Sequence, residues 1–359
     1  MVFESYSSQQ FTNPEWAAAF YEAAVHQKQS GTQVIIHGIA QHPEIQTKLL
    51  DPTQPARILL VGPDQGHTEL PVVSRIIGTR NEGHTVVDAV DPNPTVGDSL
   101  KHSLLVLDDE SKVNFRFFDQ PVEEFVDGDL EPYDLVIAAH SLQYVAFEEE
   151  SSVARLQKLT DVLNRLETNS SLMAIIAQAN DRGETIFEFR RDCWDIIRNW
   201  DGVLNIGQPE LADRHFEITS DVIIDALYRL GAGKKLHDHV SYLGYSWFMD
   251  MSAFPEHTEK VDPEISKKAR SILSFLIRKE FDKLPKIEQV EILACLERTI
   301  SCGMNHGTSL YFDDESMRPA KHLRGIDYAI FTSDTPSPIK RQNALAATMI
   351  EAQYGNLFH

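Results

Sequence analysis

The chain has 359 residues, is 42% hydrophobic and sets 54 Asp and Glu against 33 Lys and Arg, a formal net charge of −21. That balance disfavours recognition of a phosphate backbone, which needs clustered Lys and Arg, so no nucleic-acid partner is expected. The three cysteines (Cys193, Cys295, Cys302) have neither a CxxC pair nor metal spacing. They read as reduced structural thiols of a cytoplasmic protein.

The opening MVFESYSSQQFTNPEW lacks a basic region followed by an apolar core, so no signal peptide is expected. No run of 18 apolar residues predicts a membrane span. Asn13-Pro14-Glu15 starts a helix, with a side-chain cap and proline at the first helical position, carrying Trp16, Phe20, Tyr21 and Ala24. A second helix is predicted after Ser30-Gly31, with Gln33 and His37 four apart on one face. These two helices either cover a ligand crevice or pack as a cap over residues 1–50.

From Arg57 strands and helices alternate: strand 57–62, helix 67–81, strand 84–91, helix 95–108, strand 113–118, helix 121–126, strand 133–139, helix 151–167 and strand 171–178. The alternation predicts an α/β fold, a mostly parallel sheet with helices on both faces. Helix 183–200 carries Phe189, Cys193 and Trp194. Thr219-Ser220-Asp221 caps a helix that Gly231-Ala232-Gly233 stops. A strand is expected at 235–243, helices at 262–282 and 286–302, and strands at Ser309–Phe312 and Ile326–Thr332. The single domain spans 51–333, with helical insertions at about 183–216 and 245–308, and 334–359 is a C-terminal extension.

Ligands of an open parallel sheet bind beyond the carboxyl ends of its strands. Here that edge carries Gly62-Pro63-Asp64-Gln65-Gly66, Asp91, Phe118-Asp119-Gln120, His140-Ser141-Leu142-Gln143-Tyr144 and Gln178-Ala179-Asn180. A glycine turn after the first strand and an acid at the tip of the second are how such a sheet holds an adenosine-type cofactor. Pro63 and Gln65 break the G-x-G-x-x-G pattern that pyrophosphate cofactors need, which favours S-adenosylmethionine. Asp119 and Gln120 suit an adenine amino group, or Asp119 caps the next helix. His140 is a base, an orienting donor or a loop residue. Trp247 is a core aromatic or, with Tyr144 and Trp194, a cation–π platform for a developing positive charge. No metal site and no G-x-S-x-G nucleophile elbow are present in the sequence.

Asp134-Leu135-Val136-Ile137 leading into His140-Ser141-Leu142-Gln143-Tyr144-Val145, Ile218-Thr219-Ser220-Asp221, and Phe248–Phe254 with Ser274-Phe275-Leu276 resemble the class I S-adenosylmethionine-dependent methyltransferases. More narrowly they resemble the histamine N-methyltransferase-like family, over roughly residues 14–333. The resemblance implies a Rossmann-like seven-stranded methyltransferase sheet with an N-terminal helical cap and an inserted helical substrate lobe. It implies methyl transfer to a small-molecule acceptor, most plainly at nitrogen, by a monomer or homodimer. Cofactor residues are then Gly62, Pro63, Gly66, Glu69, Asp91, Pro92, Asp119, Gln120, Ala139 and His140. Substrate residues are Gln33, His37, Gln143, Tyr144, Phe189, Trp194, Trp247, Tyr311 and Asp313, with His140 and Tyr144 catalytic. Three departures separate the chain from that family: the thinner glycine turn, Thr32 or Gln33 where an amine-binding glutamate is expected, and Asp313-Asp314 in place of paired Asn. O- or C-methylation of a secondary metabolite, or a catalytically inert cofactor-binding homologue, are the alternatives.

Overall fold

The computed structural model describes residues 13–80, 84–107, 113–146, 151–179, 186–202, 218–230, 240–254, 265–277, 279–305 and 322–333. Seven strands form one sheet in the order β3-β2-β1-β4-β5-β7-β6. They are β1 (Ala56–Val61), β2 (Thr85–Val90), β3 (Val113–Phe118), β4 (Tyr133–Ala139), β5 (Ser170–Gln178), β6 (Val240–Asp250) and β7 (His322–Ser333). The pairs β1–β2, β2–β3, β1–β4 and β4–β5 are parallel, and β7 runs antiparallel to β5. This is the expected Rossmann-like α/β fold, with its antiparallel strand beside β5.

Eleven helices are described: α1 (Pro14–Ala23), α2 (Val25–Ala40), α3 (Pro43–Leu50), α4 (Glu69–Thr79), α5 (Pro94–Leu107), α6 (Val122–Asp127), α7 (Ser152–Thr168), α8 (Ile186–Gly202), α9 (Ser220–Leu230), α10 (Lys267–Ile277) and α11 (Lys286–Asn305). The described residues fall into two compact units, one drawn from 28–179, 218–245 and 327–333, the other from 13–27, 186–202 and 246–326.

The sheet unit is built on largely apolar central strands. Every residue of β4 is buried, as parallel strands covered on both faces require. Strand alternation sends Leu59, Val61, Val136, Ala138, Met173 and Ile175 to one face, where they pack with Leu159, Val162, Leu163 and Leu166 of α7 and with Ile223 and Leu227 of α9. On α2, Gly38 lies so close to Phe331 of β7 that a Cβ there would stand 2.1 Å from its ring. Asp88, buried within β2, is held by Arg116 through two bonds of 2.7 and 2.6 Å and by the Tyr133 hydroxyl at 2.8 Å. Arg80, also buried, donates to the Leu49 carbonyl at 2.5 Å and to the carbonyl of Gln54, tying α4 back to the segment entering β1.

In the other unit α1 starts on the expected cap, with Asn13 Oδ1 accepting from the backbone of Glu15 and Trp16. Trp16 and Ala17 pack on Phe275 of α10, and Phe20 stacks on Phe275 at 4.1 Å. In α8 and α11 the thiols of Cys193 and Cys295 are free and buried.

Several expected boundaries differ, among them the helix expected at 262–282, which runs Lys267–Ile277, and the strand expected at Ile326–Thr332, which runs His322–Ser333. The first helix ends at Ala23, not at Ser30-Gly31, and Gly31 lies buried inside α2. A Cβ at Gly31 would meet Ile176 Cδ1 at 2.9 Å, so this glycine serves close approach of helix and sheet rather than a helix break. The strand expected at 235–243 lies at 240–250 instead, taking in Tyr245 and Trp247. The strand expected at Ser309–Phe312 and the extension 334–359 lie outside the described residues.

Candidate functional site

Strand register sets the candidate site. Val61 pairs with Val90, and Val90 with Phe118, so the tips of β1, β2 and β3 are level. Gly62, Asp91 and Asp119 therefore follow at the same edge. Single backbone bonds extend the ladder past the tips: Gly62 N to Val90 O at 2.8 Å, Asp91 N to Phe118 O at 3.2 Å and His140 N to Ile176 O at 2.8 Å.

The turn after β1 is tight. Gly62, Asp64 and Gly66 all have positive φ (56°, 47° and 70°). A Cβ at Gly62 would fall 2.6 Å from Ser141 Cβ, and one at Gly66 would fall 2.6 Å from Leu70 Cγ and 2.7 Å from Leu100 Cδ2. Only glycine satisfies both the conformation and the space. Pro63 is buried, and the turn closes with Gly66 N donating to Pro63 O at 2.7 Å.

Asp91 is buried to 8% exposure at the tip of β2. One carboxylate oxygen accepts from Asn93 N at 2.9 Å, the other from Asp64 N at 3.3 Å. An ionised carboxylate has about four acceptor positions, so two backbone donors leave room for a pair of ligand hydroxyls. Burial raises this carboxyl to about 6. Glu69, buried at the start of α4 just past the turn, is raised to about 8, chiefly by burial. Lys28 is lowered to about 7, again chiefly by burial, with Asp64 and Glu69 opposing. Thr32 of α2 donates to the Thr68 carbonyl at 2.9 Å, joining that helix to the turn.

His140 follows β4 in a left-handed conformation (φ 58°), a backbone state that costs a non-glycine residue about 1–2 kcal/mol. Such strain clusters at working sites. Its Nε2 lies 3.2 Å from Asp327 Oδ2; the imidazole is 24% exposed and Asp327 not at all. Asp327 pairs with Gln178 at the end of β5. The buried Tyr245 hydroxyl is raised well above the usual phenol range, first by burial and then by the Asp327 carboxylate it faces. Downstream, the loop Leu142–Tyr144 is clamped by Arg155 of α7, which donates to Gln143 O at 2.5 Å and Val145 O at 3.1 Å. Gln143 and Tyr144 are half-buried there. Ser141 Oγ is buried with no hydrogen-bond partner among the described residues.

The edge thus brings together Gly62, Pro63, Gly66, Glu69, Asp91, Ala139, His140, Gln143 and Tyr144. Asp119 and Pro92 are exposed and Gln120 half-buried at the same edge. The capping alternative for Asp119 falls away, because Pro121 is the N-cap of α6 and no side chain caps it.

The substrate residues expected elsewhere fare differently. Gln33 and His37 are exposed on α2, and the helix turns Thr32, Val34 and Ile35 inward. In the other unit Phe189 is fully buried and Trp194 half-buried, with Lys279 Nζ 5.9 Å from its ring. Trp247 is 2% exposed with its ring against Gly325, where a Cβ would stand 2.1 Å away; it is a core aromatic. Tyr311 and Asp313 lie outside the described residues. Sequence reasoning missed Asp327 and Tyr245, and it placed Ser141 at the edge beside His140 without giving it a role.

Among the described residues no three His, Cys, Asp or Glu gather into a metal-holding group, and no helix is long and apolar enough to cross a membrane.

No protein-family model matches the chain, and no curated protein matches its sequence. Solved structures do match. Loganic acid methyltransferase with SAH is similar at a TM-score of 0.45 and 10% identity, over 89% of this chain and 98% of that one. The plantazolicin methyltransferase in complex with a triazolic desmethyl analogue and SAH gives 0.33 and 11%, over 92% and 100%. A cyclopropane-fatty-acyl-phospholipid synthase-like protein from Lactobacillus casei gives 0.38 and 14%, over 81% and 90%. At such scores and identities these likenesses carry no argument about activity, and the functional reading rests on this chain's own residues.

Proposed function

We propose that the chain is an S-adenosylmethionine-dependent methyltransferase acting on a small molecule, with nitrogen as the acceptor atom. The observation that carries the reading is Asp91, a carboxylate kept buried at the tip of β2 beside a turn whose glycines admit no side chain. Its spare acceptor positions fit the two hydroxyls of a ribose. Gly62 and Gly66 let the turn pack tightly against Ser141, Leu70 and Leu100, and Glu69 with Lys28 supplies one acid and one base for an amino-acid end. The bound cofactor would supply a methyl group already activated as a sulfonium. The protein's task is then alignment and the handling of one proton. His140 takes that proton from the acceptor nitrogen, and Tyr144 and Gln143, held in place by Arg155, line the loop beside it.

The test is calorimetry with S-adenosylmethionine, on the natural chain and on Asp91→Ala. Binding in the micromolar range that weakens at least tenfold in the variant supports the reading. No binding to the natural chain sinks it. Binding without turnover over a broad panel of amines, phenols and carbon acids would instead favour the inert homologue.

A further inference from the structure

We propose that Asp327 is a positioning residue for His140. It accepts the Nε2 proton and so holds the imidazole as the tautomer whose Nδ1 carries the free lone pair. The inference rests on the methyltransferase reading for its purpose, though not for its measurement.

Topology explains how the pair arises. Parallel strands deliver only their carboxyl ends to the ligand edge, whereas the antiparallel β7 delivers residues from its amino-terminal half. Asp327, set opposite Gln178 at the end of β5, is such a residue, and it reaches the loop beyond β4 from a distant part of the sequence. The 3.2 Å separation from His140 Nε2 is within reach of a charge-assisted hydrogen bond. Asp327 has no exposed surface, so water does not compete for the carboxylate, and only the imidazole opens outward. Tyr245, on the neighbouring strand β6, faces the same carboxylate and keeps its own proton. The His140 backbone is in turn fixed in its left-handed turn by the bond to Ile176 O.

A buried carboxylate bonded to one imidazole nitrogen fixes the tautomer and steadies the imidazolium that forms when the other nitrogen takes a proton. In the proposed step the acceptor's N–H bond breaks, the proton moves to His140 Nδ1, and the electron pair left on the acceptor nitrogen would form the new bond to the methyl carbon of the bound sulfonium, whose carbon–sulfur bond would break with its electron pair leaving on sulfur. Asp327 remains a carboxylate throughout.

The experiment is long-range ¹H–¹⁵N spectroscopy of the full chain with ¹⁵N-labelled histidine, His140 being assigned through His140→Gln. The natural chain should show a low-field, slowly exchanging proton on Nε2 of His140. Asp327→Ala should abolish it or speed its exchange at least tenfold, and Asp327→Asn, which keeps an acceptor oxygen, should retain it. A proton on Nδ1 in the natural chain, no protected Nε2 proton there, or one that persists in Asp327→Ala, would each overturn the inference. The natural chain's spectrum decides even where a variant fails to fold. Calorimetry with S-adenosylmethionine on the same sample separates the two failures: absent binding removes the methyltransferase reading while the His140–Asp327 bond stands or falls by its own resonance.

Discussion

Asp91→Asn should make the ligand-free protein more stable at neutral pH while weakening its hold on S-adenosylmethionine. Burial lifts the carboxyl from its ordinary 3.8 to about 6. At about 1.4 kcal/mol per unit, the ionised group costs the folded state about 3 kcal/mol relative to the unfolded chain. The folded protein holds this proton more tightly than the unfolded chain does. Stability is therefore greatest below pH 3.8, falls as the pH rises to about 6, and is level beyond. About 2 of the 3 kcal/mol disappear between pH 4.5 and pH 7.5. The amide does not titrate, so the variant escapes that loss. It gives up one acceptor, leaving the backbone N–H of Asn93 or Asp64 unsatisfied, for about 1 kcal/mol. The two proteins should thus be about equally stable at pH 4.5, and the variant ahead by about 2 kcal/mol at pH 7.5. Urea unfolding followed by far-ultraviolet circular dichroism at both pH values measures the gap. A difference between variant and natural chain that is the same at both would refute the reasoning. Calorimetry at pH 7.5 should show cofactor affinity reduced roughly 10- to 100-fold, the equivalent of about 1.4–3 kcal/mol.

Glu69→Gln should stabilise the ligand-free protein by about 3 kcal/mol at pH 7. The natural residue, raised from 4.5 to about 8, loses stability progressively as the pH rises from 4.5 to 8, and the amide has no such loss; urea midpoints at pH 5 and pH 8 test this. Gly66→Ala forces a side chain into φ 70° and into contact with Leu70 and Leu100. It should cost about 2–4 kcal/mol and abolish cofactor binding, as melting and calorimetry would show. Arg116→Met strips the bidentate partner from fully buried Asp88 and should cost about 2 kcal/mol in urea, below the figure for a wholly buried pair because the guanidinium is 42% exposed. Adding Asp88→Asn should recover part of that loss.

The sheet was legible in the sequence because its strands are short apolar runs bounded by turns, and burial on both faces allows little else. The candidate edge was legible for the same reason: once β1, β2 and β4 are placed, register carries Gly62, Asp91 and His140 to one end. Helix faces were harder. Gln33 and His37 share a face, but nothing in their spacing says that the face is the exposed one. Gly31 looked like a break because a glycine chosen for close packing and one chosen for a turn are the same letter. Trp247 carried a cation–π reading until β6 placed its ring against Gly325.

What was illegible has a common cause. Residues of the parallel strands announce themselves by following an apolar run, as Asp91 follows Val90. An antiparallel strand inserted beside β5 presents its middle, not its end, to the same edge. Asp327 sits within Leu323–Ser333 as one acid on an otherwise largely apolar strand, indistinguishable in sequence from a solvent-facing position. Its meaning depends on register with Gln178 and on the loop beyond β4, both long-range facts. Tyr245 is hidden in the same way on β6. Under the proposed function, chemistry at this edge is therefore divided in two: the parallel strands would supply the groups that fit a cofactor, which local sequence reveals, and the antiparallel strand would supply the group that orients the base, which only the fold reveals.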